Sequence, residues 1–327
     1  MLPPRELFHF PLPKSGKMRY TVSNDHTQEE SMMNIGIRLH DTAGTNLAEH
    51  LAAAKAQGFT CVHLALARLI PGFSMAKAPE LLTDELAAEV KAELDKNGQT
   101  CVLLGCYLNL CSPDLESHEH TVEIYKAHLR FAKMIGATLV GTETGAPNTT
   151  YSTCPECYTE EALQLFIERV TPVVRYAEEI GQLFAIEPVI RHIVSTPERC
   201  ERVLKAVNSP NLKVILDAVN LLSEDNCADA KAIIADGVAR LGKDTMLLHM
   251  KDFTPFAGEK GQQIKATVDN TDVFSNVVSC ACGLGDMDYA PLCALAKEHG
   301  IPMTLENTNP NNAVAARKHL EAIGAEL

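Results

Sequence analysis

Residues 183–189 read LFAIEPV: an apolar run that brings out one acid, Glu187, just before a proline. The same construction returns as VILDAVN at residues 214–220, MLLHMKD at 246–252 and PMTLENT at 302–308, bringing out Asp217, His249 and Glu306. Runs this short and this apolar are read as strands buried on both faces. Upstream, four more candidates complete the set: Asn34–Leu39, Cys61–Leu66, Thr100–Leu108 and Thr138–Thr144. With Leu183–Val189, Val214–Leu221, Thr245–Lys251 and Ile301–Asn307 the strands number eight. Helical patterns with apolar residues three and four apart separate most of them, as over Thr83–Asn97 and Ala162–Ile180. Gly58, Gly98, Gly136, Gly181 and Gly300 each stand where a helix must close before the next strand.

Such alternation is the signature of a parallel α/β fold. Eight units fit a closed (β/α)8 barrel, a single-domain TIM barrel, better than an open doubly wound sheet. The latter would carry a glycine-rich phosphate turn after its first strand, and His40-Asp41-Thr42-Ala43-Gly44 is no such turn. The barrel is expected over residues 33–327, behind a polar, proline-punctuated N-terminal extension at 1–32. One connection breaks the rhythm, from Phe253 to Asp288, and a loop of that length in a compact barrel is usually functional.

Composition narrows the function. The formal charge is −13, from 42 acidic and 29 basic residues, with no basic cluster to serve as a footprint for nucleic acid or an anionic membrane. No run approaches the 18 apolar residues of a membrane span, and the N-terminus lacks a signal-peptide pattern. Eleven cysteines, several inside apolar runs (Cys61, Cys101, Cys106), read as buried small hydrophobes that a reducing cytoplasm tolerates. Cys154-Pro155-Glu156-Cys157 has zinc-knuckle spacing, without a matching second pair nearby. A cytoplasmic homo-oligomer acting on a small molecule is expected.

In a barrel of this kind function sits at the C-terminal ends of the strands. Glu187, Asp217, His249 and Glu306 end strands five to eight, 30, 32 and 57 residues apart, the longest gap matching the insertion. Taken singly, each has an ordinary structural reading: a salt-bridged strand end, a helix N-cap, a satisfied core histidine. Taken together, at equivalent places on adjacent strands, three carboxylates and an imidazole predict one divalent cation. The oxygen-rich set suits Mn²⁺ best, with Mg²⁺, Co²⁺ or Zn²⁺ as alternatives.

These segments, with Gly283–Tyr289, resemble the xylose isomerase-like TIM barrel superfamily of sugar and sugar-phosphate isomerases and epimerases, including the tagatose 3-epimerase-like type. The resemblance runs from Met33 to the C-terminus. It implies that Glu187, Asp217, His249 and Glu306 bind the metal, and that Glu187 and Glu306 are also the catalytic acid/base pair for proton transfer beside a ketose carbonyl. Asn220 stands where the tagatose 3-epimerase type carries a histidine, and the arginine expected after His249 is not evident in Phe253–Phe256, so the sugar stays open. Glu143, Asn220, Lys251 and His40 are the candidate substrate-binding residues, and His192 a candidate supporting group. Alternative readings are a metal-dependent lyase or dehydratase on an oxidised sugar or glycoside, and a non-catalytic barrel subunit. A DNA-repair endonuclease on the same barrel would need more metal ligands and a basic face.

Overall fold

Side chains able to accept a hydrogen bond open the helices. Asn46, Thr83, Asp114, Thr159 and Thr196 each take the amide three residues on, satisfying a donor that a helix start leaves unpaired. At the far ends Gly98, Gly136, Gly181 and Gly300 adopt the left-handed conformation that an L side chain resists. Gly58, just past the Leu47–Ala56 helix, has a φ of 83° as well. The computed structural model describes residues 33–255, 265–268, 271–274 and 277–327, and the expected extension over 1–32 lies outside them.

Between these helices run β1 (Ile35–Arg38), β2 (Cys61–Leu64), β3 (Thr100–Gly105), β4 (Leu139–Glu143), β5 (Leu183–Glu187), β6 (Leu212–Asp217) and β7 (Thr245–Met250). The stretch expected as a loop after β7 carries strands instead. β8 (Asp252–Thr254) pairs antiparallel with β11 (Val278–Cys280), and β9 (Lys265–Val268) with β10 (Thr271–Phe274). The chain then passes through the Ala290–His299 helix to β12 (Met303–Leu305). Parallel pairing closes β1 through β7 and β12 into an eight-stranded barrel, in the order β1-β12-β7-β6-β5-β4-β3-β2. The chain is a single-domain TIM barrel over these residues.

Most strands end earlier than the sequence predicts. β2 stops at Leu64 because Leu66–Leu69 winds into a short helix. β6 stops at Asp217 because its Oδ1 accepts the amides of Val219 and Asn220 and starts a 3-10 turn.

Alternation along a strand sends residues i and i+2 to the same side. Cys61, Leu103, Leu139, Ala185, Ile215 and Leu247 share one fully buried cluster that plugs the barrel. His63, Glu187, Asp217 and His249 follow four of them by two residues, so a polar layer lies directly above an apolar floor. Gly141 leaves room for that floor: a Cβ there would sit 2.4 Å from Ile215 Cδ1 and 2.6 Å from Leu103 Cδ1. Cys61, Cys101 and Cys106 are buried as expected, and burial pushes the first two thiols up to about 12.

Asp252 fixes the return of the insertion. Its carboxylate, 1 % exposed, accepts the backbone amides of Phe253, Gly283, Gly285 and Met287 at 2.8–3.0 Å. Gly285 permits the close approach, since a Cβ there would lie 2.1 Å from the Phe253 carbonyl oxygen.

Candidate metal centre

β5 and β6 end on Glu187 and Asp217, His249 is the next-to-last residue of β7, and Glu306 follows β12 directly, its amide donating to the Met250 carbonyl at 2.9 Å. The four residues are 2, 0, 2 and 7 % exposed. His249 is the hinge of the group: its Nδ1 lies 3.3 Å from Glu187 Oε2 and 3.6 Å from Glu306 Oε1. Glu187, Asp217 and His249 offer ligand atoms that all lie within 4.8 Å of one another.

Glu306 belongs to a second such group, with His249 and His63 of β2. The two imidazoles stack, ring centroids 5.3 Å apart and 8° from parallel, with His63 Nδ1 3.7 Å from Glu306 Oε1 and His63 Nε2 3.3 Å from the Tyr107 hydroxyl. Gly105 makes space for this ring, because a Cβ there would stand 2.8 Å from His63 Nε2. Lys251 crosses the same floor: its ammonium sits 2.7 Å from Asp217 Oδ2 and 3.7 Å from Glu306 Oε2, and donates to Asn220 Oδ1 at 2.8 Å. Asn220 in turn donates its amide to Glu187. Arg38 reaches Glu306 Oε2 at 3.4 Å and Asp41 Oδ1 at 3.1 Å.

Whether these residues suit a cation is decided by their unmet valences. Both ring nitrogens of His249 lack a hydrogen-bond partner, as does His63 Nδ1; Asp217 Oδ2 has only the Lys251 ammonium in ion-pair range. Buried polar atoms are normally satisfied, so orphans gathered in two ligand groups that share His249 ask for a ligand. Carboxylate oxygens and imidazole nitrogens are the donors a divalent ion takes. The residues fit.

Charge in the cluster is strongly coupled. Burial opposes a charge on His249, but Glu306 and Glu187 outweigh it and push its pKa up to about 9. Burial also works against Glu306, yet His249, Lys251 and Arg38 hold that carboxyl well below the usual range. Asp217 goes the other way: burial raises it more than Lys251 lowers it, and with Glu187 and Glu306 nearby it reaches about 6. Burial, then the neighbouring His249, keeps His63 neutral.

Above the cluster opens a cavity of about 590 Å³. His40, in the 3-10 turn after β1, and Glu143, at the end of β4 beside Glu187, both line it, together with Asn220 and Lys251. All four candidate substrate residues therefore face one space. Burial and then Glu187 push Glu143 up to about 7. Its Oε2 lies 3.4 Å from His192 Nδ1, and His192 stacks on Tyr151. The loop carrying His192 is buckled to the Pro155–Tyr158 turn by Arg199, whose guanidinium donates to the carbonyls of Ile193, Cys157, Tyr158 and Thr159.

Sequence reasoning passed over His63, Arg38, Tyr107, Arg68 and Arg191, all of which line the cavity. His63 carried a usable signal, a polar residue two positions after Cys61 within an apolar strand. The arginines carried none. Cys154 and Cys157 lie 3.7 Å apart at Sγ, away from both ligand groups, and Cys154 accepts from Asn148.

A search of curated protein sequences found no match. Among solved structures, a D-tagatose 3-epimerase-like protein superposes with a TM-score of 0.65 at 17% identity, covering 90% of this chain and 99% of its own. The IolI protein with a binding zinc atom gives 0.63 at 18% identity, covering 90% and 99%. The probable 3-DHS dehydratase AsbF from Bacillus anthracis gives 0.62 at 14% identity, covering 90% and 98%. At such identities the likeness speaks for the fold alone. A family model, however, matches residues 51–324, and by that match the chain belongs to the xylose isomerase-like TIM barrel family.

Proposed function

We propose that the chain is a divalent-metal-dependent sugar or sugar-phosphate isomerase or epimerase, working by proton transfer next to a carbonyl. The observation that supports this reading is a pair of buried ligand groups that share His249, one with Glu187 and Asp217 and one with Glu306 and His63; His249 Nδ1 meets Glu187 and Glu306 only at ion-pair range and its Nε2 has no partner. An ion held there, Mn²⁺ by preference, would supply positive charge beside the substrate's carbonyl oxygen. Glu187, Asp217, His249 and Glu306 would hold the ion, which is the main role of Asp217 and His249. Glu187 and Glu306 come from β5 and β12, which flank β6 and β7 on opposite sides, so a sugar carbon lying between them meets one carboxylate on each face. One takes the proton and the other returns it, which is what inversion at carbon or transfer along the chain requires. Asn220 orients Glu187 through its amide, and Arg38 and Lys251 steady Glu306.

A second reading, elimination of water after the same proton abstraction, is favoured by Glu143. A carboxyl with a pKa near 7 at the cavity wall can hold a proton for a departing hydroxyl. We further propose a cytoplasmic homo-oligomer with a small sugar as its partner. The cysteines, all free thiols, support the compartment, and no helix among the described residues is long and apolar enough to cross a membrane.

The test is exchange. Mn²⁺-loaded protein incubated in deuterated water with a panel of ketoses should place deuterium beside the carbonyl, and Glu187→Gln or Glu306→Gln should each slow this by roughly 10²-fold or more, the scale of a lost general acid or base. An unsaturated carbonyl product would select the elimination reading. No exchange with any sugar would count against proton-transfer chemistry.

A further inference from the structure

Four cations line the cavity, and they fall into two kinds. Lys251 is buried and Arg38 half-buried, and both are already engaged, Arg38 by Asp41 and Glu306 and Lys251 by Asp217 and Asn220. Arg68 is exposed and Arg191 half-buried, and neither guanidinium has a hydrogen-bond or ion-pair partner among the described residues. Arg68 rides the short Leu66–Leu69 helix after β2, and Arg191 the loop after β5. β3 and β4 lie between those strands, so the two arginines reach the cavity from either side of Tyr107 and Glu143.

The charge around this space differs from that of the chain as a whole. Glu143, Glu187 and Glu306 on the wall, with Asp217 beneath, balance the four cations, although the whole protein carries −13. A divalent ion on the carboxylates would then leave the space positive, with two guanidiniums still uncommitted among the described residues. Arginine presents a fork of donors matched to the oxygens of a carboxylate or phosphate. A neutral sugar would leave that charge unanswered.

We propose that the substrate is an anionic sugar, bearing a phosphate or a carboxylate at the end remote from the reacting carbon, and that Arg68 and Arg191 form the subsite for that anion. The proposal rests on the isomerase or epimerase reading for the word sugar, but the anion subsite is read by binding alone. Two parts of the cavity then divide the work: the buried cluster takes the carbonyl end, and the two arginines fix the distance at which the charged end is held. Electrostatic attraction into a positive pocket on an acidic protein also excludes wrong partners, because other anions meet repulsion over most of the surface.

Calorimetric titration of the full, Mn²⁺-loaded chain tests this with two matched pairs of probes: ribulose against ribulose 5-phosphate, and tagatose against tagaturonate. The anionic member of at least one pair should bind about 10-fold or more tightly than its neutral counterpart, the scale of one charge-assisted hydrogen bond. Which pair shows the preference identifies phosphate or carboxylate. In the Arg68→Gln/Arg191→Gln double variant the preference should shrink to within about 3-fold, the Arg→Lys pair should retain part of it, and added salt should weaken only the anionic probe. Circular dichroism melting establishes that the variants fold. Equal or tighter binding of the neutral member in both pairs, or a preference that survives the double variant, overturns the subsite. The outcome is separable from the reaction: exchange on neutral ketoses without a binding preference would leave the proton-transfer reading standing and remove the anion site, whereas an arginine-dependent preference without exchange would do the reverse.

Discussion

The proton on His249 sets a condition on metal binding. Only a neutral imidazole nitrogen can ligate a cation, and in the metal-free protein Glu306 and Glu187 overcome burial to hold the ring protonated up to about pH 9. Loading therefore expels a proton, and the apparent Mn²⁺ affinity should rise about tenfold per pH unit between pH 6.5 and 8.5. A chelator competition series measures it, and a flat profile would contradict the coupling. The same shift bears on stability. His249 and Glu143 are both raised in the fold, to about 9 and about 7, so each contributes stability that is present below its unfolded pKa and lost as pH rises through its folded one. Metal-free protein should accordingly melt lower at pH 9 than at pH 6, with added Mn²⁺ recovering most at the alkaline end. His63 gives a third expectation at this scale. It stacks on His249 and faces Glu306, and removing such a support costs about 10- to 100-fold in metal affinity, so His63→Ala should weaken Mn²⁺ binding by that factor. Its inward direction was readable from Cys61 two residues earlier. The register shift between Val62 and His63 was not, since it arises only when β2 pairs with β3.

At the scale of elements, the apolar runs marked all eight barrel strands because strands buried on both faces must be apolar throughout. Their ends were less readable, because a side chain such as Asp217 can redirect the backbone into a turn where hydropathy still suggests a strand. The insertion shows the same limit more strongly. β8 and β11 are three residues each, Asp252–Thr254 and Val278–Cys280, too short for any periodicity, and their pairing depends on residues far apart in sequence. Asp252 is what holds them in place. Asp252→Ala would leave the amides of Phe253, Gly285 and Met287 without this acceptor and Gly283 with only the Tyr289 hydroxyl, and should cost about 3 kcal/mol or more in denaturant unfolding. A loss under about 1 kcal/mol would mean the turn is held by something else.

Across the whole molecule, closure is what brings four residues far apart in sequence to neighbouring strand ends. Glu187, Asp217, His249 and Glu306 belong to β5, β6, β7 and the exit of β12, neighbours around the barrel although β8 to β11 intervene in sequence before the last. That adjacency of strand ends was legible from strand order, while Arg68 and Arg191 at the cavity were not, because nothing local distinguishes a cavity arginine from a solvated one. The floor beneath the site must also stay full and unstrained. Gly141→Ala drives a methyl into Ile215 and Leu103 and should destabilise the barrel by about 1–3 kcal/mol in denaturant unfolding. The central claim is that the four strand-end residues hold one divalent cation. Anomalous diffraction from crystals soaked in Mn²⁺ tests it most directly: the account predicts a single strong peak about 2.0–2.3 Å from ligand atoms of Glu187, Asp217, His249 and Glu306. No peak there at saturating Mn²⁺, or one that persists in the Glu187→Gln/Glu306→Gln variant, would contradict it.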